Sequence, residues 1–319
     1  MSIFRDFFNV KQKPVFTGSR FGFGSGGGPT GPSFSITGGN VADGVAPGNG
    51  YIYHVFSSSG ALTVSGAGSQ TGCEWLLIGG GAAGGGGDHY SGGGGAGGVV
   101  YKQNQDLTPG TYPVYIGSHG PGTPNQQDGN PSFPSHNRVN TGQSGGEDSE
   151  FTIGGSTIYA LGGGRGGCRA QPGGEPNGFS GGCGGGGGVG YPGGPYPTGS
   201  AGSTSQPGQN AGIPNLSQYG NPGGTGPGPA QYGGNGGSPT PAGQSFAMSY
   251  TPNPSSVLIS GSPVSPYTFA IGGRGYNNPS GSPAAAPATS FGSGGGGTLN
   301  QTPSGAGSPG VLILMYPSG

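Results

Sequence analysis

Charge is nearly missing from this sequence. Charged residues make up 6% of 319, with Lys+Arg 9, Asp+Glu 10 and a net charge of −1, where an ordinary globular domain carries roughly a quarter. So few Lys and Arg cannot lay a phosphate-neutralising stripe, and nucleic acid is not an expected partner. Apolar residues are scarce as well: a hydrophobic content of 29% leaves little from which to pack an enzyme core. No apolar run approaches the ~20 residues of a membrane helix, so membrane insertion is not expected either. Three cysteines, Cys73, Cys168 and Cys183, suit no disulfide framework. Residues 1–8 lack the uninterrupted apolar stretch of a secretory signal, which predicts folding in a reducing cytoplasm.

What the chain has is glycine, 85 residues of it, with 32 prolines. Collagen is excluded, because Gly79-Gly80-Gly81-Ala82-Ala83-Gly84 breaks the every-third-residue register. The first 32 residues stand apart as an arm and joint. They hold Arg5, Lys11, Lys13 and Arg20 with Phe4, Phe7, Phe8, Phe16, Phe21 and Phe23. Ser2 can cap a short helix that places Phe4, Phe7 and Phe8 on one face, and Pro14 stops it. Such an arm either docks its rings on a partner or folds back on its own domain. Residues 24–32 read as a flexible joint.

The remaining domain, 33–319, alternates two textures. Strand-like runs, rich in β-branched and aromatic residues and bounded by Gly, Pro, Ser and Asn, occur at 51–56, 61–64, 74–78, 112–116, 150–153, 157–161, 256–259, 267–271 and 311–316. Glycine tracts occupy 79–98, 162–194, 220–243 and 272–297. Strands run directly into glycine at Ile78-Gly79, Leu161-Gly162 and Ile271-Gly272, which predicts a β framework that glycine excursions leave and rejoin. No segment keeps a helical period.

Ordering glycine costs more backbone entropy than ordering any other residue. Dense backbone contact must offset that cost, or the tracts stay disordered. An extended left-handed helix of three residues per turn makes no internal hydrogen bonds. Without side chains, such polyglycine type II helices approach closely enough to bond sideways through their N–H and C=O groups, as buried backbone requires. An interior helix must then be glycine throughout, whereas a surface helix carries one side chain per turn. Arg165, Cys183, Asn235, Arg274 and Ala96, each isolated between glycines, suit outer or loop positions.

Catalytic chemistry is not assembled anywhere in the sequence, so no enzyme and no cofactor is expected. Gly-x-Gly-x-x-Gly recurs only through composition, and no Gly-Lys-Ser or Gly-Lys-Thr supplies a P-loop. Asp88, His89 and His119 have no closed ligand spacing, so a metal is not expected. Cys168 and Cys183 read as structural or idle thiols. Glu147, Asp148 and Glu150 form the one acidic cluster, read as a solvated loop rather than a cation site.

The ordered series Phe56-Ser57-Ser58-Ser59-Gly60-Ala61-Leu62-Thr63-Val64, Cys73-Glu74-Trp75-Leu76-Leu77-Ile78-Gly79-Gly80-Gly81, Gly92-Gly93-Gly94-Gly95-Ala96-Gly97-Gly98-Val99-Val100 and Pro309-Gly310-Val311-Leu312-Ile313-Leu314-Met315-Tyr316-Pro317 resembles the glycine-rich domains of phage tail-fibre and adhesin proteins. It is also similar to the glycine-rich region of anaplastic lymphoma kinase. The resemblance covers roughly residues 50–319; the Pro/Ser/Asn-rich stretch 199–254 and the Phe-rich arm depart from it. It implies an all-β fold: a tumour-necrosis-factor-like jelly-roll β-sandwich carrying a polyglycine type II bundle insertion, with no α-helix beyond the short N-terminal one. It implies a virion structural protein, assembled in the host cytoplasm and exposed on the particle surface, and it is compatible with a homotrimer. The arm would dock on other virion proteins. Loops at the helix ends, with His89, Tyr90, Phe179, Tyr191, Tyr196, Tyr219, Tyr232 and Tyr276, would meet a host glycan or protein receptor; alternatively, these tyrosines roof the bundle. A capsid or tail decoration protein without a receptor, and a secreted glycine-rich matrix protein, are the rival expectations.

Overall fold

The computed structural model describes residues 34–46, 50–86, 90–122, 145–168, 176–189, 198–226, 233–239, 269–276, 288, 290–298 and 303–318. These form two antiparallel sheets with no α-helix among them. The five-stranded sheet runs β1 (Ser35–Thr37), β4 (Gly60–Ser65), β7 (Gly110–Tyr115), β8 (Ser149–Ile153), β9 (Ser156–Ala160). The six-stranded sheet runs β10 (Leu216–Tyr219), β6 (Val99–Leu107), β5 (Gln70–Ile78), β11 (Val311–Pro317), β3 (Tyr51–Phe56), β2 (Ala42–Val45).

Burial separates the two sheets by what covers them. Along β4, Leu62 and Val64 are buried while Ala61, Thr63 and Ser65 are exposed, the alternation of a sheet with one wet face. Along β11 every residue from Val311 to Tyr316 is buried, which requires cover on both faces. One face meets the five-stranded sheet: Trp75, Leu77, Leu312 and Leu314 pack with Leu62, Val114, Phe151 and Ile158. Trp75 and Phe151 meet edge to face at 5.5 Å. The other face gathers Leu76, Ile78, Val311, Ile313 and Met315 with Ala96 and Cys183 of the glycine tracts and with Phe269 and Ala270, just ahead of the last tract. The tracts are therefore the second roof of the six-stranded sheet.

Local chemistry closes the corners. β8 and β9 are joined by Gly154 and Gly155, φ +60° and +77°, the two left-handed positions of a tight hairpin. Among the described residues, no strand lies beside the outer edge of β9. There Asn210 accepts the Tyr159 N–H at 2.9 Å and donates to the Tyr159 carbonyl at 2.9 Å. Gln206 accepts the Leu161 N–H at 2.6 Å, and both amides reach Gln218 on β10. Side-chain amides thus stand in for a missing strand and protect an edge that would otherwise template pairing.

Most expected strands form, several with identical cores. Residues 269–271 enter neither sheet, and residues 256–259 and the arm lie outside the described residues. β1, β2, β6 and β10 were not legible as strands.

Candidate functional site

Three of the glycine tracts adjoin strand ends: 79–98 joins β5 to β6, 162–194 follows β9 and 220–243 follows β10. Their strand ends lie together, since Ile78 pairs with Val99 and Val311, Val99 with Tyr219, and Ser149 with Ala160. Gly79, Gly98, Gly220 and Gly310 adjoin these strand ends directly, and Gly162 follows Leu161. The backbone groups of these tracts bond sideways. Along residues 91–98, Gly92, Gly95 and Gly98 donate to Gly167, Gly164 and Leu161. Gly93 and Ala96 donate to Gly234 and Gly237, and Ser91, Gly94 and Gly97 donate to Thr298, Gly295 and Gly292, at 2.8–3.3 Å. The partner changes at each residue and returns at every third. The same segment accepts from Gly79, Ala82 and Gly85, from Gly186 and Cys183, and from Gly273 and Tyr276. Residues 91–98 are buried throughout, and each N–H among them finds an acceptor, as burial demands.

Glycine is needed where these backbones touch. A Cβ on Gly186 would collide with the Gly234 carbonyl oxygen, and one on Gly94 with that of Ala82. Side chains appear where a column faces outward: Pro303, Ala306 and Pro309 are exposed or half-buried while Ser304, Gly305, Gly307 and Ser308 between them are buried. Asn235 and Arg274 are exposed as expected. Ala96, Cys183 and Arg165 are not, at 0%, 0% and 6% exposure. Ala96 and Cys183 face the six-stranded sheet within its outer cluster, and the Arg165 guanidinium lies 4.3 Å over the Phe179 ring. The expectation that interior helices are glycine throughout is corrected by Ala82, Ala83 and Ala96, all fully buried.

At the end away from the sheets, Gly85 meets Gly92, Val189 meets Tyr90, and Gly233 and Tyr276 pair, with Tyr276 also bonded to Ser91. Two expected contact residues thus come together: the Tyr90 and Tyr276 rings lie 5.8 Å apart, and Tyr90 is 7% exposed. Phe179 is half-buried, beneath Arg165. Tyr219 is not at that end or in a loop. It is the last residue of β10, opposite Val99, because its strand fills the edge beside β6. His89, Tyr191, Tyr196, Tyr232 and the six arm phenylalanines, Phe4, Phe7, Phe8, Phe16, Phe21 and Phe23, lie outside the described residues.

Glu147 and Asp148 serve the structure. Glu147 accepts the Ser118 N–H and the Tyr115 hydroxyl, both at 3.1 Å, and Asp148, 7% exposed, accepts the Gly162 N–H at 2.7 Å. The cluster read as a solvated loop instead ties tract backbones to β7–β9. His119 contacts the Gly120 carbonyl at 3.2 Å. No group of three His, Cys, Asp or Glu placed to hold a metal occurs among the described residues; Asp88 and His89 lie outside them. Burial pushes the Cys73 and Cys183 thiols up to about 12, which keeps both protonated and unreactive. Sequence reasoning missed the Gln206–Asn210–Gln218 seam and the buried His54; amides dispersed in a Pro/Ser/Asn-rich stretch give no periodic signal.

The family model described as a glycine-rich domain matches residues 57–317. No curated protein matches the chain.

Proposed function

The chain belongs to this glycine-rich domain family, and we propose that it is a non-enzymatic structural protein of a phage particle, a tail fibre or adhesin that recognises the host surface. In this reading the sheets form a jelly-roll sandwich of tumour-necrosis-factor type, and the tracts are polyglycine type II helices inserted between its strands. The three-residue return of the hydrogen-bond partner supports the helix assignment, since that is the repeat of the extended left-handed helix. At ~3.1 Å per residue, the six steps from Gly79 to Gly85 carry the chain roughly 19 Å from the sheets. The arm attaches the protein to other virion components, and the protein is assembled in the host cytoplasm and exposed on the particle.

One observation carries the adhesin reading: residues 273–276 run bonded alongside residues 91–94 and bring the Tyr90 and Tyr276 rings together. Rigid scaffolds present binding loops in this way, and Tyr with Asn, Ser and Gly supplies contact area at low entropic cost. A decoration protein without a receptor is the second reading, favoured by the Tyr90 ring being 7% exposed and packed on Tyr276, as a roof would be. Particles carrying Tyr232→Ala and Tyr276→Ala separate the two. The adhesin reading predicts normal incorporation with adsorption lost; normal adsorption would leave the decoration protein. Deleting residues 1–24 is expected to abolish incorporation under both readings, and particles that retain the truncated protein would refute the docking role of the arm.

A further inference from the structure

Residues 34–46 strap the two sheets together along one side. β1 is the edge of the five-stranded sheet and β2 the edge of the six-stranded one. The chain crosses between them at Gly38 and Gly39, φ +126° and +120°, a conformation that disfavours any side chain. Both strands are short, and the register of β2 slips between Asp43 and Val45. Solvent reaches the outer ties of the strap: the Gly38 N–H on Asp43 at 2.8 Å, the Asn40 side chain on Ser57 and Ser58, and the Ser35 and Ser65 hydroxyls at 2.8 Å.

The inner tie is His54 of β3, 0% exposed. Its Nδ1 lies 2.7 Å from the Gly38 carbonyl oxygen, so Nδ1–H donates there; the Gly44 N–H approaches the same nitrogen at 3.3 Å and is the weaker alternative. Nε2 is then a bare acceptor and faces the Tyr316 hydroxyl of β11 at 3.4 Å, with the two rings stacked at 5.8 Å. The arrangement fits a neutral imidazole. The charged or titratable groups around it are Asp43 of β2, 3.3 Å away and half in solvent, and Tyr316. Cys73 of β5 interacts with Tyr316 and Asp106 of β6 with Cys73. The inner faces of β1 and β4 contribute Ile36, Leu62 and Val64 to the same cluster, and these carry no charge. A second proton would sit on Nε2, against a hydroxyl that now donates to it. The Gly38 carbonyl and the half-exposed Asp43 carboxylate favour the resulting charge, but the loss of water around a fully buried ring outweighs them.

We propose that residues 34–46 are an acid-released clasp, latched by neutral His54 and opened when His54 takes up a proton. Opened and fully extended, residues 34–46 reach at most roughly 43 Å at ~3.3 Å per residue. The proposal is independent of what the arm binds. Hydrogen exchange of the full chain at pH 7.5 and 5.0, corrected for intrinsic amide rates, tests it. Protection in Ser35–Thr37 and Ala42–Val45 is expected to fall at least tenfold relative to β5 and β11, and the fall is expected to vanish in His54→Gln. Unchanged relative protection in the wild type overturns the clasp, as does an undiminished fall in His54→Gln. If that variant does not fold, NMR titration of the wild-type imidazole decides: strap exposure must follow the His54 midpoint, and a strap that opens at another pH refutes the latch.

Discussion

A single methyl group decides which glycines matter. Gly186 lies with its Cα against the Gly234 carbonyl, so Gly186→Ala is expected to force tracts apart and cost about 1–3 kcal/mol, the usual penalty of overpacking. Gly208 has open space where a Cβ would go, and Gly208→Ala is expected to be neutral or to stabilise by about 0.4–1 kcal/mol through the unfolded chain. Urea unfolding of the two variants checks both; equal effects would contradict the close approach. His54 sets a pH dependence at the same scale. Burial, working against a carbonyl bond and Asp43, holds its imidazole below the ordinary 6.5, so the unfolded chain takes the proton first as pH falls. Stability is therefore full above the unfolded-state value and declines as pH drops below it. The melting temperature is expected to fall between pH 7.5 and 5.5 in the wild type and to fall less in His54→Gln. The residues misjudged from sequence belong to this scale too. A spacing of three tells which side chains share a column, but not whether that column faces water or the six-stranded sheet, and so Ala96 and Cys183 read as outer positions.

Among the elements, legibility followed the origin of the pattern. Residues 51–56 and 311–316 declare themselves as strands because their apolar character is local, and β3 ends where it was expected to end. β6 is as long as β5, yet Lys102, Gln103, Asn104 and Gln105 hide it, with Asn104 at φ +52° where the register slips. β1, β2 and β10 are short edges whose existence depends on partners far away in sequence. The β9 edge depends on amides from yet another segment. Gln206→Ala removes the acceptor of the buried Leu161 N–H and is expected to cost about 1–3 kcal/mol, the penalty of an unsatisfied buried donor. The neighbouring exposed Gln209→Ala is expected to stay within about 0.5 kcal/mol of the wild type. Chemical denaturation compares them, and equal losses would remove the seam from the account.

For the whole molecule, the question is how a chain with 29% hydrophobic residues becomes a solid body. The sheets bury what apolar side chains there are, and the tracts close the remaining face with paired backbone. Composition announced the glycine tracts, and physical reasoning supplied sideways bonding. The assignment of each tract to its neighbours lies in pairings across large sequence separations, such as Gly93 with Gly234, which no local pattern encodes. The central claim is that these amides are bonded between tracts in rotation, and NMR couplings transmitted through hydrogen bonds test it most directly. In perdeuterated, amide-protonated protein, the account predicts couplings from the amide nitrogens of Gly93, Gly94 and Gly95 to the carbonyl carbons of Gly234, Gly295 and Gly164. Glycine amides that show no such couplings and exchange as freely as an unfolded chain would contradict it.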